Sequence, residues 1–227
     1  MKNHLKRIAA PSTWVIDRHV RTFIVKPNPG AHREEMGLAL GVILRDNLKL
    51  AMTMNEVRKI LQTQEVLVDG RRRLDFRFIV GLFDVLSIPT LGKQYRMVMD
   101  SKGRLVIKEI SSANSALKVC RVVGKHVAPG AEIVYRLHDG KNVKGSFKAA
   151  VGDSVVVTVA DNKVKEVLPL ATGCCVFLIE GKHAGKVGLL KDLTEKEVVL
   201  SFGEQGEIST AKRCAFVVGK KTPAMEL

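Results

Sequence analysis

Residues 53–76 read TMNEVRKILQTQEVLVDGRRRLDF, and this stretch decides the fold class. It opens on Thr53-x-x-Glu56, the spacing of a capping box, in which side chain and backbone satisfy each other's orphan groups at a helix start. Met54, Val57, Ile60 and Leu61 then recur at helical spacing, which leaves Arg58 and Lys59 off the apolar face. Asp69-Gly70 follows a short apolar run and predicts a tight hairpin turn. A strict two-residue turn pairs Val68 with Arg71 and Leu67 with Arg72. Neither face is then cleanly dry, so a wider or bulged turn is the alternative. In either register the three arginines put at least one cation on each face. A helix beside an arginine-studded hairpin makes a compact anion-binding corner, because the planar guanidinium bonds two phosphate oxygens and stays charged.

The rest of the chain agrees with an anionic partner. Its 227 residues carry 37 Lys+Arg against 23 Asp+Glu, a formal net charge of +14. The excess is +7 in residues 1–100 and +7 in residues 101–227, so no single basic tail accounts for it. A balance this basic costs self-repulsion in the free protein and points to a polyanion, nucleic acid before a membrane surface. No run of about 18 apolar residues predicts a membrane span, and the start MKNHLKRIAAPSTW lacks the apolar stretch of a signal peptide. The expected compartment is the cytoplasm. Cys120, Cys174, Cys175 and Cys214 form no C-x-x-C pair and read as buried thiols in a reducing environment.

Upstream, residues 1–34 combine basic residues with Pro11, Pro27 and Pro29 and the sole tryptophan, Trp14. They read as an irregular basic arm with one aromatic anchor, the alternative being a tail that orders only on binding. Met36–Ala51 is rich in aliphatic residues and is expected to contain helix. Downstream of residue 93 the periodicity switches to two. YRMVMDSKGRLVIKEI, EIVYRLHDGKNVKGSF and GDSVVVTVADNKVKEVLPL each read as strand, turn, strand. VFLIEGKHAGKVGLLKDL sets Gly181, Gly185 and Gly188 between strands. This places the glycines in a hairpin loop rather than at a helix start, which argues against a dinucleotide or P-loop site. Glycines there would let a nucleic-acid backbone approach, with Lys182, His183 and Lys186 supplying charge. The overall expectation is an α+β, multi-domain chain.

Taken in order, HLKRIAAPSTWVIDR, ILRDNLKLAMTMNEVRKIL, VLVDGRRRLDFRFIVGLFDVLSI, YRMVMDSKGRLVIKEI, LKVCRV, GCCVFLIEGKHAGKVG and AFVVGKKTP resemble the S-four-e family of small-subunit ribosomal proteins, more its archaeal than its eukaryotic branch. The resemblance spans nearly the whole chain. It implies a basic N-terminal arm (1–37), a helix-plus-hairpin S-four-type RNA-binding domain (38–92), a central β-rich domain (93–171) and a KOW-type small β-barrel with a C-terminal tail (172–227). It also implies a structural role in the small ribosomal subunit, with small-subunit ribosomal RNA and neighbouring ribosomal proteins as partners. No membrane, small-molecule substrate, cofactor or metal is expected. Candidate RNA contacts are Lys2, Lys6, Arg7, Arg18, Arg21 and Arg33 in the arm, Arg58, Lys59, Arg71, Arg72, Arg73 and Arg77 in the module, and Lys182, His183 and Lys186 in the glycine-rich loop.

Two other functions fit the sequence less well. An RNA-modifying enzyme needs a catalytic domain, yet the residues after the module break into short hairpins, and no histidine sits in metal-binding spacing. Asp69, Asp75 and Asp84 read as turn or pairing residues rather than acids for catalysis. A transcription elongation factor using the KOW-type module would leave the basic N-terminal half without a role. Phe76, Phe78 and Phe83 are expected in the core. A binder with so few aromatic residues (5%) should read RNA shape and backbone.

Overall fold

The structure, a computed structural model, describes residues 4–130, 132–145, 147–202 and 206–226. The chain clusters into two compact units, Met1–Val98 with Arg104–Ser115, and Met99–Gly103 with Ala116–Leu227. Most of the ordered backbone is strand, arranged in several antiparallel sheets with few helices, a mixed α+β architecture. No helix among the described residues is long and apolar enough to cross a membrane.

The first unit is built around the helix Met54–Thr63. Its capping box forms as the sequence predicts: Thr53 Oγ1 accepts from the Glu56 amide at 3.3 Å, and Glu56 Oε2 accepts from the Thr53 amide at 3.4 Å. Glu56 also accepts from the Met52 amide at 2.8 Å, and this bond is the main reason its carboxyl lies below the usual range. Val57 and Leu61 turn inward and are fully buried. The hairpin takes the strict register, Leu67 opposite Arg72 and Val68 opposite Arg71. Asp69 (φ 50°) and Gly70 (φ 73°) both adopt the left-handed conformation that a two-residue turn between twisted strands requires. The register succeeds because Arg71–Arg72 is the edge of a five-stranded sheet. From that edge the order runs through Leu67–Val68, Val85–Ile88 and Lys93–Met99 to Leu105–Glu109. Dryness comes from the inner strands, and Asp69 pins the turn to them by accepting from the Val85 amide at 3.0 Å. The pair Lys93–Met99 and Leu105–Glu109, which sequence reading puts at the start of the central domain, thus hydrogen-bonds into the hairpin's sheet.

Met36–Ala51 is only partly helical. Gly37–Ala39 is a strand paired with Ile79–Gly81, followed by one turn, Leu40–Val42, that widens into a π-helical turn over Ile43–Asn47. A Cβ on Gly37 would lie 2.7 Å from the Ile79 side chain and 2.9 Å from the Val80 carbonyl oxygen. Close strand pairing at this glycine therefore overrides the helical composition. The residues from Leu38 to Leu44 are all buried, which explains their lack of an amphipathic period.

The second unit holds two five-stranded antiparallel sheets. One runs Asn142–Lys144, Ile133–Leu137, Leu117–Val127, Ser154–Thr158, Val164–Leu168 around a core that includes Cys120, Val122, Tyr135, Leu137, Val155 and Val157. The other runs Glu207–Ala211, Glu197–Ser201, Val187–Leu193, Cys175–Leu178, Ala215–Gly219. The hairpins anticipated at Asp139-Gly140, Asp161-Asn162 and the glycine-rich loop all join neighbouring strands. Within this unit Arg121 Nη1 donates to the carbonyls of Arg213 (2.7 Å) and Ala215 (3.2 Å), which ties the two sheets together.

Candidate nucleic-acid interface

Because consecutive residues on a strand point to opposite faces, the three hairpin arginines cannot act as one block. Arg71 and Arg72 are exposed on the edge strand, and Arg73 is half-buried. Arg72 Nη2 donates to the Gln62 carbonyl at 2.9 Å, a bond to the last turn of the helix that fixes the hairpin against it. The Arg73 guanidinium lies 4.2 Å over the Phe78 ring, and that of Arg58 lies 4.8 Å over the Phe76 ring. Of the three phenylalanines expected in the core, only Phe83 is fully enclosed; Phe76 and Phe78 are half-buried ledges under arginines. Stacking holds a guanidinium flat without neutralising it. Arg58, Lys59, Arg71, Arg72 and Arg73 make no ion pair with a carboxylate among the described residues. Arg58, Arg72 and Arg73 are therefore held in place without a close counter-ion, whereas Lys59 acts on the Glu56 carboxylate at longer range. Arg77 is half-buried beside it, with its amide donating to Asp75 at 2.8 Å.

The arm residues divide by use. Lys2 lies outside the described residues, while Lys6, Arg21 and Arg33 are exposed. Arg7 is buried: Nη2 pairs with Asp46 Oδ2 at 2.8 Å, and Nη1 donates to the Asp17 carbonyl at 2.6 Å. Arg45 forks onto the same carboxylate at 2.7 and 2.9 Å. Burial pushes the Asp46 carboxyl up, but the bonds from Arg45 and Arg7 outweigh it and hold it below the usual range. Arg18 donates to the carbonyls of Arg7, Ile8, Ala10 and Pro11, wrapping the turn that follows the first strand. Arg7 and Arg18, expected at the RNA, are thus the internal frame of the arm. Trp14 completes it: 2% exposed, with Nε1 donating to the Glu34 carbonyl at 3.0 Å, next to a backbone bond from Leu105 to the Thr13 carbonyl. The arm is tied to the rest of the first unit at Arg7, Thr13, Asn28 and His32.

In the second unit, Lys182 is exposed, and His183 and Lys186 are half-buried. The room made by Gly185 is used by the chain itself. A Cβ there would fall 1.8 Å from the Asp100 carbonyl oxygen, so backbone of the same unit already takes up this space. At Gly181 (φ 94°) nothing lies within 4 Å of a Cβ.

One cluster escaped sequence reasoning. Cys120, His138 and Asp139 bring potential metal-ligand atoms within 4.8 Å of one another. Lys118 Nζ already sits 3.0 Å from Asp139 Oδ2, with both side chains 2% exposed. A buried ammonium thus supplies the positive charge a metal would bring. Burial raises the Asp139 pKa, but Lys118, with His138 and Lys141, lowers it further, to about 2. The signal was present: Lys118, Cys120 and Val122 share one phase of a strand, and a lysine in an apolar phase needs a buried partner. All four cysteines are buried free thiols, as expected, and burial pushes Cys174 and Cys175 up.

Comparison with known proteins gives this geometry its context. The profile of ribosomal family S4e matches residues 91–164, and that of the RS4NT (NUC023) domain matches residues 1–35. A small ribosomal subunit protein eS4 from Methanocella arvoryzae is 38% identical over 229 residues, covering 99% of this chain and 97% of the relative. The chain belongs to ribosomal family S4e. The eS4 protein of Archaeoglobus fulgidus is 39% identical, covering 96% of this chain and 94% of its own. The crystal structure of 30S ribosomal protein S4e from Thermoplasma acidophilum superposes with a TM-score of 0.70 at 30% identity, covering 82% of this chain and 96% of that one. The S4e relatives named here are archaeal, in keeping with the branch the sequence resembles.

Proposed function

We propose that the protein is a structural component of the small ribosomal subunit in the cytoplasm. It binds ribosomal RNA through phosphate and shape contacts and sits among other small-subunit proteins, with no catalysis, cofactor or small-molecule substrate. The observation that carries this is the set of cations on the helix and hairpin: Arg58 and Arg73 lie over phenylalanine ledges, Arg72 is bonded to the end of the helix, Lys59 and Arg71 are exposed, and none of the five makes a close ion pair among the described residues. Pre-ordered guanidinium groups lose little entropy on gripping phosphates, and phosphate contacts set orientation on folded RNA. The remaining exposed candidates, Lys6, Arg21, Arg33, Lys182 and Lys186 with His183, extend the contact surface, and linked modules add avidity. On this reading the helix-plus-hairpin region is the S-four-type module. Residues from about 116 to 171 form the central β domain, and those from about 172 a KOW-type module.

Sedimentation of a native lysate tests the proposal. The protein should travel with small subunits and resist a moderate-salt wash, whereas a protein that stays at the top of the gradient rejects the ribosomal role. Within that assay, reversal of Arg71, Arg72 and Arg73 together to Glu should abolish incorporation. Normal incorporation of this variant would refute the hairpin as an RNA clamp.

A further inference from the structure

A second basic feature of the first unit lies away from the hairpin arginines. A groove of about 920 Å³ opens between the N-terminal arm and the π-helical turn, with Val15, Val20 and Arg21 of the arm facing Arg45, Lys49 and Met52. We propose that it seats an unpaired segment of RNA, with phosphates at Arg21 and Lys49 and a base against Val20 and Met52. The inference rests on the RNA-binding reading above and adds a site and a strand state to it.

Charge is the first argument. Six cations line the groove (Arg7, Arg18, Arg21, Arg45, Lys49 and Arg104) against two carboxylates, Asp17 and Asp46. Asp46 already serves Arg7 and Arg45. Arg18 is held by carbonyls, which fix its position and leave its charge. Arg21 and Lys49 are exposed and make no ion pair among the described residues. An excess of fixed cations inside a concave wall focuses potential and concentrates a polyanion.

Apolar exposure is the second. Met52 is 83% exposed, Val20 67% and Val15 40%, and all three line this one groove. Single exposed apolar side chains are ordinary, but three converging inside a basic groove are not a design for solvated charge. A duplex would meet the cations with its outer phosphates and leave the apolar ledge wet. An unstacked nucleotide uses both, its sugar-phosphate on the cations and its base on the aliphatic and thioether surface. The volume suits this, falling within the roughly 300–1,000 Å³ of ordinary ligand sites and far exceeding a single phosphate.

Backbone geometry is the third. Lys49 is a non-glycine residue at φ 54°, an unfavourable left-handed conformation. Bonds from the Leu48 amide to the Ile43 carbonyl and from the Leu50 amide to the Leu44 carbonyl, both 2.9 Å, hold it there. π-turns and strained residues of this kind gather at binding sites, because the surrounding fold must maintain them. Here the strain places an ammonium at the groove wall.

Trp14, the sole tryptophan, lines the same groove and reports on it directly. The full-length protein is titrated with a small-subunit ribosomal RNA transcript while Trp14 emission is followed, and a 4-thiouridine-substituted transcript is photo-crosslinked and the adducts mapped. Binding should shift Trp14 emission and place crosslinks on Val20 and Met52. R21E/K49E should weaken binding by about tenfold or more and abolish the emission change. V20A/M52A should lose the crosslinks at a smaller affinity loss with an unchanged salt slope, since it removes no charge. All four side chains are exposed, so unchanged circular dichroism and melting temperature are expected and verify the fold. RNA that binds with Trp14 unmoved and crosslinks confined to residues 58–77 would overturn the groove and leave the hairpin interface standing. Absence of any RNA binding at low salt would overturn both.

Discussion

The hairpin of the first unit and the central sheet of the second use the same kinds of charged residue in opposite ways. At the hairpin, Arg71 and Arg72 stand exposed on an edge strand with no carboxylate beside them among the described residues. In the central sheet, Lys118 and Asp139 are buried and face each other at 3.0 Å. One arrangement leaves charge available to an outside partner, and the other closes it within the protein. The difference shows that net charge alone does not locate a binding surface. What matters is whether the fold has already given each cation a counter-ion.

The sharpest way to break this comparison is at Lys118. Lys118→Met removes the buried ammonium and leaves Asp139 only the Lys141 ammonium, 3.6 Å from Oδ2 and more exposed, so it should destabilise the protein by about 3 kcal/mol, the low end for a broken buried pair. Urea unfolding checks this, and a loss under about 1 kcal/mol would mean that the pair carries little of the core. The same pair predicts an acid limit. The Asp139 pKa is depressed to about 2 in the folded state, from an ordinary value of 3.8. Its stabilisation is therefore complete above pH 3.8 and is lost as pH falls through about 2. The shift corresponds to about 2 kcal/mol, to be read as a fall in unfolding free energy across that window which Asp139→Asn removes.

The contrast also explains what was legible in the sequence. The capping box at Thr53 and Glu56 and the turn at Asp69-Gly70 are local, and both were readable. The hairpin register was not, because it depends on Arg71–Arg72 being a sheet edge, which the distant strand Val85–Ile88 determines. Met36–Ala51 contains the helix its composition suggests, over residues 40–47, but that composition hides the strand Gly37–Ala39, whose partner, Ile79–Gly81, lies some forty residues away. Arg7 reads from sequence as an RNA contact for the same reason: its counter-ion, Asp46, is 39 positions downstream, and nothing near Arg7 announces it. Exposed cations were found from composition, whereas buried ones needed the fold.

The outward-facing half of the comparison is tested by neutralising Arg71 and Arg72 to Ala. RNA affinity should fall by about tenfold, and the slope of log affinity against log salt should drop by about two, one phosphate contact for each arginine. Stability should change by no more than about 1 kcal/mol, mostly through the lost bond from Arg72 to the Gln62 carbonyl. An unchanged salt slope would place the phosphates elsewhere.

The smallest expected effect separates order from charge in the same corner. Thr53→Ala removes the acceptor for the Glu56 amide and should lower stability by about 1 kcal/mol. It deletes no cation, so the number of phosphates neutralised, and with it the salt slope, should stay constant. Affinity should fall only slightly, because Arg58 and Lys59 lie in the second turn of the helix and Arg58 keeps its seat over Phe76. If the slope falls with the cap, the cations depend on the helix start for their presentation, and the interface is less preordered than the Phe76 and Phe78 ledges imply.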